Sequence, residues 1–208
     1  MTGAVFVAAR KLVLHEFNLG TSLLRWVTRR RPYGVRPGDV AVSYASGQAA
    51  LMYGFLFVSI VETVVLAYLI PWKLLHSVTL VVDLWGVYFV LALHASCVVR
   101  PHVIGVDGTL RLRYGALLDV RIPAGRIASV RLERRYAGSK KGTIDADGVA
   151  DLAVASETTV TVELTEPVGY VRVLGKPAQA RTFRLYANDP TAAVAALRAR
   201  MAAERTDP

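Results

Sequence analysis

Two long apolar runs, residues 47–70 and 75–98, are parted only around Pro71-Trp72-Lys73, and they limit what this chain can fold into more than any other feature. As a helix each would measure about 36 Å at roughly 1.5 Å per residue, enough to cross a hydrocarbon core of roughly 30 Å with some tilt. A connection this short makes the helices antiparallel neighbours, so the flanking segments share one side of the membrane. The sequence thus predicts a transmembrane helical hairpin over 47–98 (spans 47–70 and 75–98). It is preceded by an interfacial segment and linker over 1–46 and followed by a separate domain over 99–208.

Composition agrees with a chain divided between two solvents. Hydrophobic residues make up 53% and charged residues 20%, too apolar for an ordinary soluble domain and too charged for a chain wholly in lipid. Lys and Arg outnumber Asp and Glu seven to two in residues 1–46 and seventeen to twelve in residues 99–208, while the hairpin carries only Glu62, Lys73 and Asp83. A net charge of +9 placed on the flanks of the spans points to the bilayer and its anionic phospholipid headgroups as partners, and away from nucleic acid. Arg25, Arg29, Arg30, Arg31 and Arg36 precede the first span and Arg100 follows the second. The positive-inside rule therefore places both termini in the cytoplasm and the chain in the cell inner membrane as a multi-pass protein. The connection then faces outward, with Trp72 and Lys73 at that interface. The single cysteine, Cys97, has no partner for an internal disulfide and reads as a small buried apolar residue. The stretch 4–9 is too short for the core of a cleaved signal peptide, which leaves insertion to the first span.

Ahead of the hairpin, Val5, Phe6, Ala9, Leu12, Val13 and Phe17 recur at helical spacing, and a second short pattern around Leu23, Leu24, Trp26 and Val27 follows an interruption at 18–20. With Trp26, Arg29, Arg30 and Arg31 as membrane-interface anchors, this segment either lies in the headgroup plane or packs on the cytosolic domain. Pro32, Gly34, Pro37 and Gly38 make a linker into the first span. Beyond Arg100 the apolar period turns from helical to alternating. Strands are expected near 102–106, 109–114, 117–122, 127–135, 149–155, 159–165, 168–173 and 181–187. Asp107-Gly108 forms the first hairpin turn, and a polar loop spans 136–148. Asn188-Asp189-Pro190 then caps an Ala-rich helix over 191–204. The total is about seven strands and one terminal helix.

The passage Val106-Asp107-Gly108-Thr109-Leu110-Arg111-Leu112-Arg113-Tyr114-Gly115 is followed by Val120-Arg121-Ile122-Pro123 and Ile127-Ala128-Ser129-Val130. Together with the closing Asn188-Asp189-Pro190 and Val194 to Leu197, it resembles bacterial pleckstrin-homology-like (PH-like) domains. With the basic Arg-Trp-Val-Thr-Arg-Arg segment and the hairpin included, most of the chain looks like a group of actinobacterial two-span membrane proteins. The resemblance implies an α+β membrane protein: a two-helix transmembrane hairpin, then a PH-like β-barrel or sandwich with a C-terminal helix. It implies no common activity. Eukaryotic relatives of that fold bind inositol phosphates around the first hairpin, but the tight Asp107-Gly108 turn leaves no room for that basin here.

Two sets of residues are candidates for function. Arg111, Arg113, Arg121, Arg126, Arg131, Arg134, Arg135, Lys140 and Lys141 could form a basic patch for anionic headgroups or a protein partner, against the plainer reading of a solvated basic face. A peptide or second subunit docking on a sheet edge is a further option. Glu62 and Asp83, each eight residues from the turn end of its span, should sit at similar depth. They would form either a proton or cation site in an oligomeric transporter or channel, or a helix-pairing contact through shared protons. No Walker loop, G-x-S-x-G elbow, H-E-x-x-H or paired C-x-x-C occurs, so no catalytic residue, metal site or cofactor is expected and the chain reads as a non-enzyme. Asp145-Ala146-Asp147-Gly148 lacks the later bidentate Glu of a calcium loop and reads as a polar turn.

Overall fold

The computed structural model describes residues 2–136, 148–172 and 176–206, with residues 2–13 and 205–206 as backbone only. Lys140, Lys141, Asp145 and Asp147 lie outside the described residues, as do the side chains of the first amphipathic pattern up to Val13. Helices α2 (Ser46–Leu69) and α3 (Lys73–Val99) form the expected hairpin. Pro71 lacks an N–H and pushes the residue before it out of helical geometry, so α2 ends at Ile70, with φ −91° and ψ 106°. Lys73 belongs to the first turn of α3 rather than to the connection. Half-buried Met52, Leu56, Ser59, Thr63 and Leu66 recur at alternating steps of four and three, which puts them on one seam toward α3. Both helices are long and apolar enough to cross a membrane, and none of the most apolar stretch of α2 is buried within the protein.

Helix α1 (Thr2–Val27) is continuous through residues 18–20, where an interruption was expected. Asn18 and Gly20 serve contacts there instead of breaking the helix. The Asn18 carbonyl accepts from Ser22 Oγ (2.6 Å) and Thr21 Oγ1 (3.1 Å), and a Cβ at Gly20 would come within 3.3 Å of Tyr88 Oη. Leu19 and Ser22 are buried where α1 packs on α3, whose small buried Ala92 and Ala95 leave room for a close approach. Leu14, Phe17 and Leu24 form the opposite, exposed stripe. The helix packs along α3, a contact that neither placement read from the sequence included.

The remainder is two open sheets on one core, not a closed barrel. The first sheet runs β1 (Val40–Val42), β2 (His102–Ile104), β3 (Leu110–Tyr114), β4 (Leu118–Ile122), every neighbouring pair antiparallel. The second has the order β5 (Ile127–Tyr136), β7 (Glu157–Val171), β8 (Pro177–Leu185), β6 (Val149–Leu152), with β6 parallel to β8. Strand β1 comes from the stretch read as linker, so the β unit is assembled from chain on both sides of the hairpin. Two expected strands, 159–165 and 168–173, are one long strand, β7, whose register shifts between Glu163 and Val168. That shift accommodates Pro167, which cannot donate to the ladder. Leu112, Ile122, Val162 and Phe183 fill the core between the sheets, closed by Val194 and Leu197 of helix α4 (Pro190–Thr206). As the sequence predicts, Asp189 caps α4: its Oδ1 accepts from the Ala192 N–H at 2.9 Å, with Pro190 at the first helical position.

Candidate functional site

The described residues concentrate buried polar chemistry where the hairpin meets the β unit. Helix α1 stops in a Schellman turn: the Arg30 N–H bonds the Arg25 carbonyl (3.0 Å), the Arg29 N–H bonds that of Trp26 (3.1 Å), and Arg29 takes a left-handed φ of 49°. The turn throws Arg29, Arg30 and Arg31 into solvent and leads the chain through Pro32 to Tyr33. The Tyr33 N–H then donates to the Val99 carbonyl at the end of α3 (2.7 Å), and its own carbonyl accepts from Arg113 Nη1 of β3 (2.6 Å). Tyr33 thereby ties the helices to the sheet. Three guanidinium groups surround its ring, with Arg100 4.7 Å, Arg25 5.3 Å and Arg113 5.7 Å from the centroid.

Beneath this lies a second layer. The Arg113 N–H donates to His102 Nδ1 (3.0 Å), so His102 is the neutral tautomer that accepts at that nitrogen. Burial, with the Arg113 charge beside it, pushes His102 down to about 3. The Tyr44 ring stacks on His102 at 4.5 Å, and its hydroxyl accepts from the Gly115 N–H at 2.6 Å; burial raises the Tyr44 phenol. Tyr114 Oη donates to Gln48 Oε1 in the first turn of α2 (3.3 Å). Cys97 is buried and unpaired beside Tyr44, as expected of a small packing residue.

Charge at the junction is unbalanced. Asp119 of β4 pairs in two-pronged fashion with Arg111, through Nε at 2.6 Å and through Nη2, and lies 3.7 Å from Arg113 Nε. Arg25, Arg30 and Arg100 have no carboxylate within 4 Å among the described residues. Arg100 is held by neutral oxygens alone, donating to Ser22 Oγ (3.2 Å) and Asn18 Oδ1 (3.4 Å). Burial lowers both Arg100 and Arg113; Arg25 acts in the same direction on the first and Arg111 on the second, with Asp119 opposing each shift. Two open clefts meet at Arg25 and Arg30. One, of about 340 Å³, is lined by Phe17, Asn18, Leu24 and Arg100; the other, of about 500 Å³, by Trp26, Val98 and Val99.

Of the described residues in the basic patch read from the sequence, Arg113 is buried and five others are ion-paired. Arg111 is in its ion pair, and Arg113 is 1% exposed beneath Tyr33 and Gly34. A Cβ at Gly34, whose φ is 67°, would sit 2.6 Å from Arg113 Nη2. Arg131 pairs with Glu163, Arg134 with Glu157 (2.6 Å), Arg135 with Glu133 (2.6 Å) and Arg126 with Glu166 (3.6 Å). Arg121 is exposed and unpaired among the described residues. Of the interface anchors, Arg29, Arg30 and Arg31 are exposed, Trp26 packs edge-on against His94 (5.9 Å), and Trp72 and Lys73 are exposed at the far end of the hairpin.

Glu62 and Asp83 do not share a site. Glu62 is on the exposed face of α2, whereas Asp83 turns into the α2–α3 seam with Thr63, Ala67, His76 and Thr79. Similar depth from the turn does not bring two side chains together when the helical phase points them apart. Among the described residues no group of three metal-ligating side chains occurs. Tyr33 and Arg100, the centre of the junction, were not singled out as a site in the sequence. The signal was there in part: a lone aromatic between Pro32 and Gly34, and an arginine ending a span.

No protein family, no curated protein and no solved structure matches the chain.

Proposed function

We propose that the chain is an integral inner-membrane protein whose β unit, a PH-like domain on the cytoplasmic side, works as a binding or assembly module held against the bilayer. Its partners would be anionic lipid, a protein, or further copies of the chain. The observation that carries this reading is the interlock at the junction. Tyr33, Tyr44, Gln48 and Arg113 fasten the sheet to the ends of α2 and α3, so the β unit is docked on the hairpin and cannot swing freely on a tether.

Lipid as the solvent of the hairpin is supported by energy. More than a dozen large apolar side chains between Leu51 and Trp85 are exposed. At about 1.5–3 kcal/mol for each such side chain left in water, the total exceeds the roughly 5–15 kcal/mol by which a domain is stable. The exposed stripe of α1 argues the same way. Orientation follows from Arg25, Arg29, Arg30, Arg31 and Arg100, which gather at the end of the hairpin that carries the β unit. Two sheets and a capped terminal helix around one core favour the PH-like reading.

The test is fractionation of cells expressing the full chain with a carboxyl-terminal tag. The protein should stay in the membrane pellet through alkaline carbonate and leave it only with detergent, and the tag should resist protease added to spheroplasts. A chain recovered in the high-speed supernatant, or a tag cleaved from outside, would overturn the reading.

A further inference from the structure

Three features coincide at the junction. Arg25, Arg30 and Arg100 are cations without carboxylate partners among the described residues, set around one cleft of about 340 Å³. The polar groups on the same wall, Asn18 and Thr21, are uncharged, so nothing within the cleft neutralises the arginines. Phe17 and Leu24, which are 68% and 60% exposed, border it on the α1 side, and they continue the outward apolar stripe of that helix. A cation cluster beside a bare apolar strip, at the charged end of two candidate spans, matches a ligand with an anionic head and a hydrocarbon tail.

We propose that this cleft binds the phosphate of an anionic membrane phospholipid, with Arg25, Arg30 and Arg100 on the phosphate oxygens and an acyl chain along Phe17 and Leu24. The inference rests on the membrane reading above and names the ligand of its junction. Arginine suits the task because its planar fork donates two parallel bonds to phosphate oxygens. Arg100 has the geometry of a preset ligand. Its Nε and one Nη are fixed by Ser22 and Asn18, which orients the guanidinium, and the ring of Tyr33 backs it at 4.7 Å. Arg25 sits in the last turn of α1 and Arg30 in the Schellman turn, and with Arg100 they line the same cleft.

The experiment uses the full chain purified in a mild non-ionic detergent and titrated with dioleoyl phosphatidylglycerol, with bound lipid counted by native mass spectrometry. Dioleoyl phosphatidylcholine and inorganic phosphate serve as parallel arms. The expected result is one tight phosphatidylglycerol per chain, at least tenfold preferred over phosphatidylcholine. That preference should fall about tenfold in Arg25→Gln/Arg30→Gln and change less than twofold in Arg134→Gln/Arg135→Gln, which removes the same charge from β5. If the first double variant does not fold, Arg30→Gln alone, at an exposed position, carries the comparison. Equal losses in both double variants, or equal binding of phosphatidylcholine, would overturn the proposal. So would displacement of the lipid by millimolar inorganic phosphate in an Arg30-dependent way, which would make the ligand the free anion. Recovery of the chain in the supernatant without detergent would instead sink the membrane reading, whatever the cleft binds.

Discussion

On β5, Arg131, Arg134 and Arg135 lie at the surface, each against a carboxylate of its own or a neighbouring strand. At the junction, Arg25, Arg100 and Arg113 crowd a single tyrosine while Arg30 lines the same cleft, and among the described residues Asp119, already committed to Arg111, is the one carboxylate that pairs with any of them. The two groups are indistinguishable as letters in a sequence, yet their physics differs. A surface pair is screened on all sides, so its charges neutralise one another and contribute little. A buried or half-buried arginine beside like charges must be held by oriented oxygens, and its removal is felt by everything it touches. The β5 face is therefore a solvated exterior, while the junction is the part of the molecule where charge has structural consequences.

The sharpest way to break this contrast is Arg113→Ala. It removes the donor to the Tyr33 carbonyl and empties a site that is 1% exposed. We expect a loss of about 3 kcal/mol in denaturant unfolding of the detergent-solubilised chain. Tryptic cleavage after Arg29 and Arg30 should also speed up as the segment leading to Tyr33 comes loose. A cost below about 0.5 kcal/mol would put Arg113 in the same class as the β5 arginines.

Next in size is a dependence on pH. His102 is pushed from 6.5 to about 3, so between those values the unfolded chain binds a proton that the folded chain refuses. The stability it brings is complete above pH 6.5 and drains away as pH falls, at up to about 1.4 kcal/mol per unit. Between pH 7 and pH 5 the loss should reach about 2 kcal/mol, and His102→Asn should flatten that part of the profile relative to the parent chain. Parallel profiles for the two proteins would mean that His102 is not held neutral. Tyr44→Phe should cost less, about 1–2 kcal/mol, since it leaves the buried Gly115 N–H without its acceptor; thermal unfolding at pH 7 reads it directly.

Much of the architecture could be read from the sequence because apolar period and turn chemistry are local. The hairpin, the Asp189 cap and most strands on either side of Asp107-Gly108 are of this kind. The junction was hidden because strand alternation tells which face Arg113 occupies and not what covers it. The cover is Tyr33 and Gly34, some eighty residues away across two helices. Strand β1 escaped for a related reason. Three residues, Val40 to Val42, follow a run of Pro and Gly that says only "linker", and they become a strand because β2 offers them an edge. Asn18 and Gly20 point in the opposite direction: both are helix-breaking letters, and both are retained inside α1 because Arg100, just past α3, takes Asn18 as a hydrogen-bond acceptor and Tyr88 of α3 comes close at Gly20.

The smallest expected effect is the one that tests whether the contrast is real. Arg134 holds Glu157 at 2.6 Å, a distance that would look strong in any inventory of ion pairs, but its side chain is 67% exposed. Water and salt screen such a pair, and ordering the long side chain costs rotamer entropy of similar size to the attraction gained. Arg134→Gln should therefore change unfolding stability by no more than about 0.5 kcal/mol, and raising the salt from 0.05 to 0.5 M should shrink even that, because the Debye length contracts from more than 10 Å to a few ångströms. Arg113→Ala should keep nearly its full cost over the same salt range, since buried contacts are shielded from mobile ions. If both variants responded to salt alike, burial would not be what separates the junction from β5, and the distinction between the two sets of arginines would collapse into their distances alone.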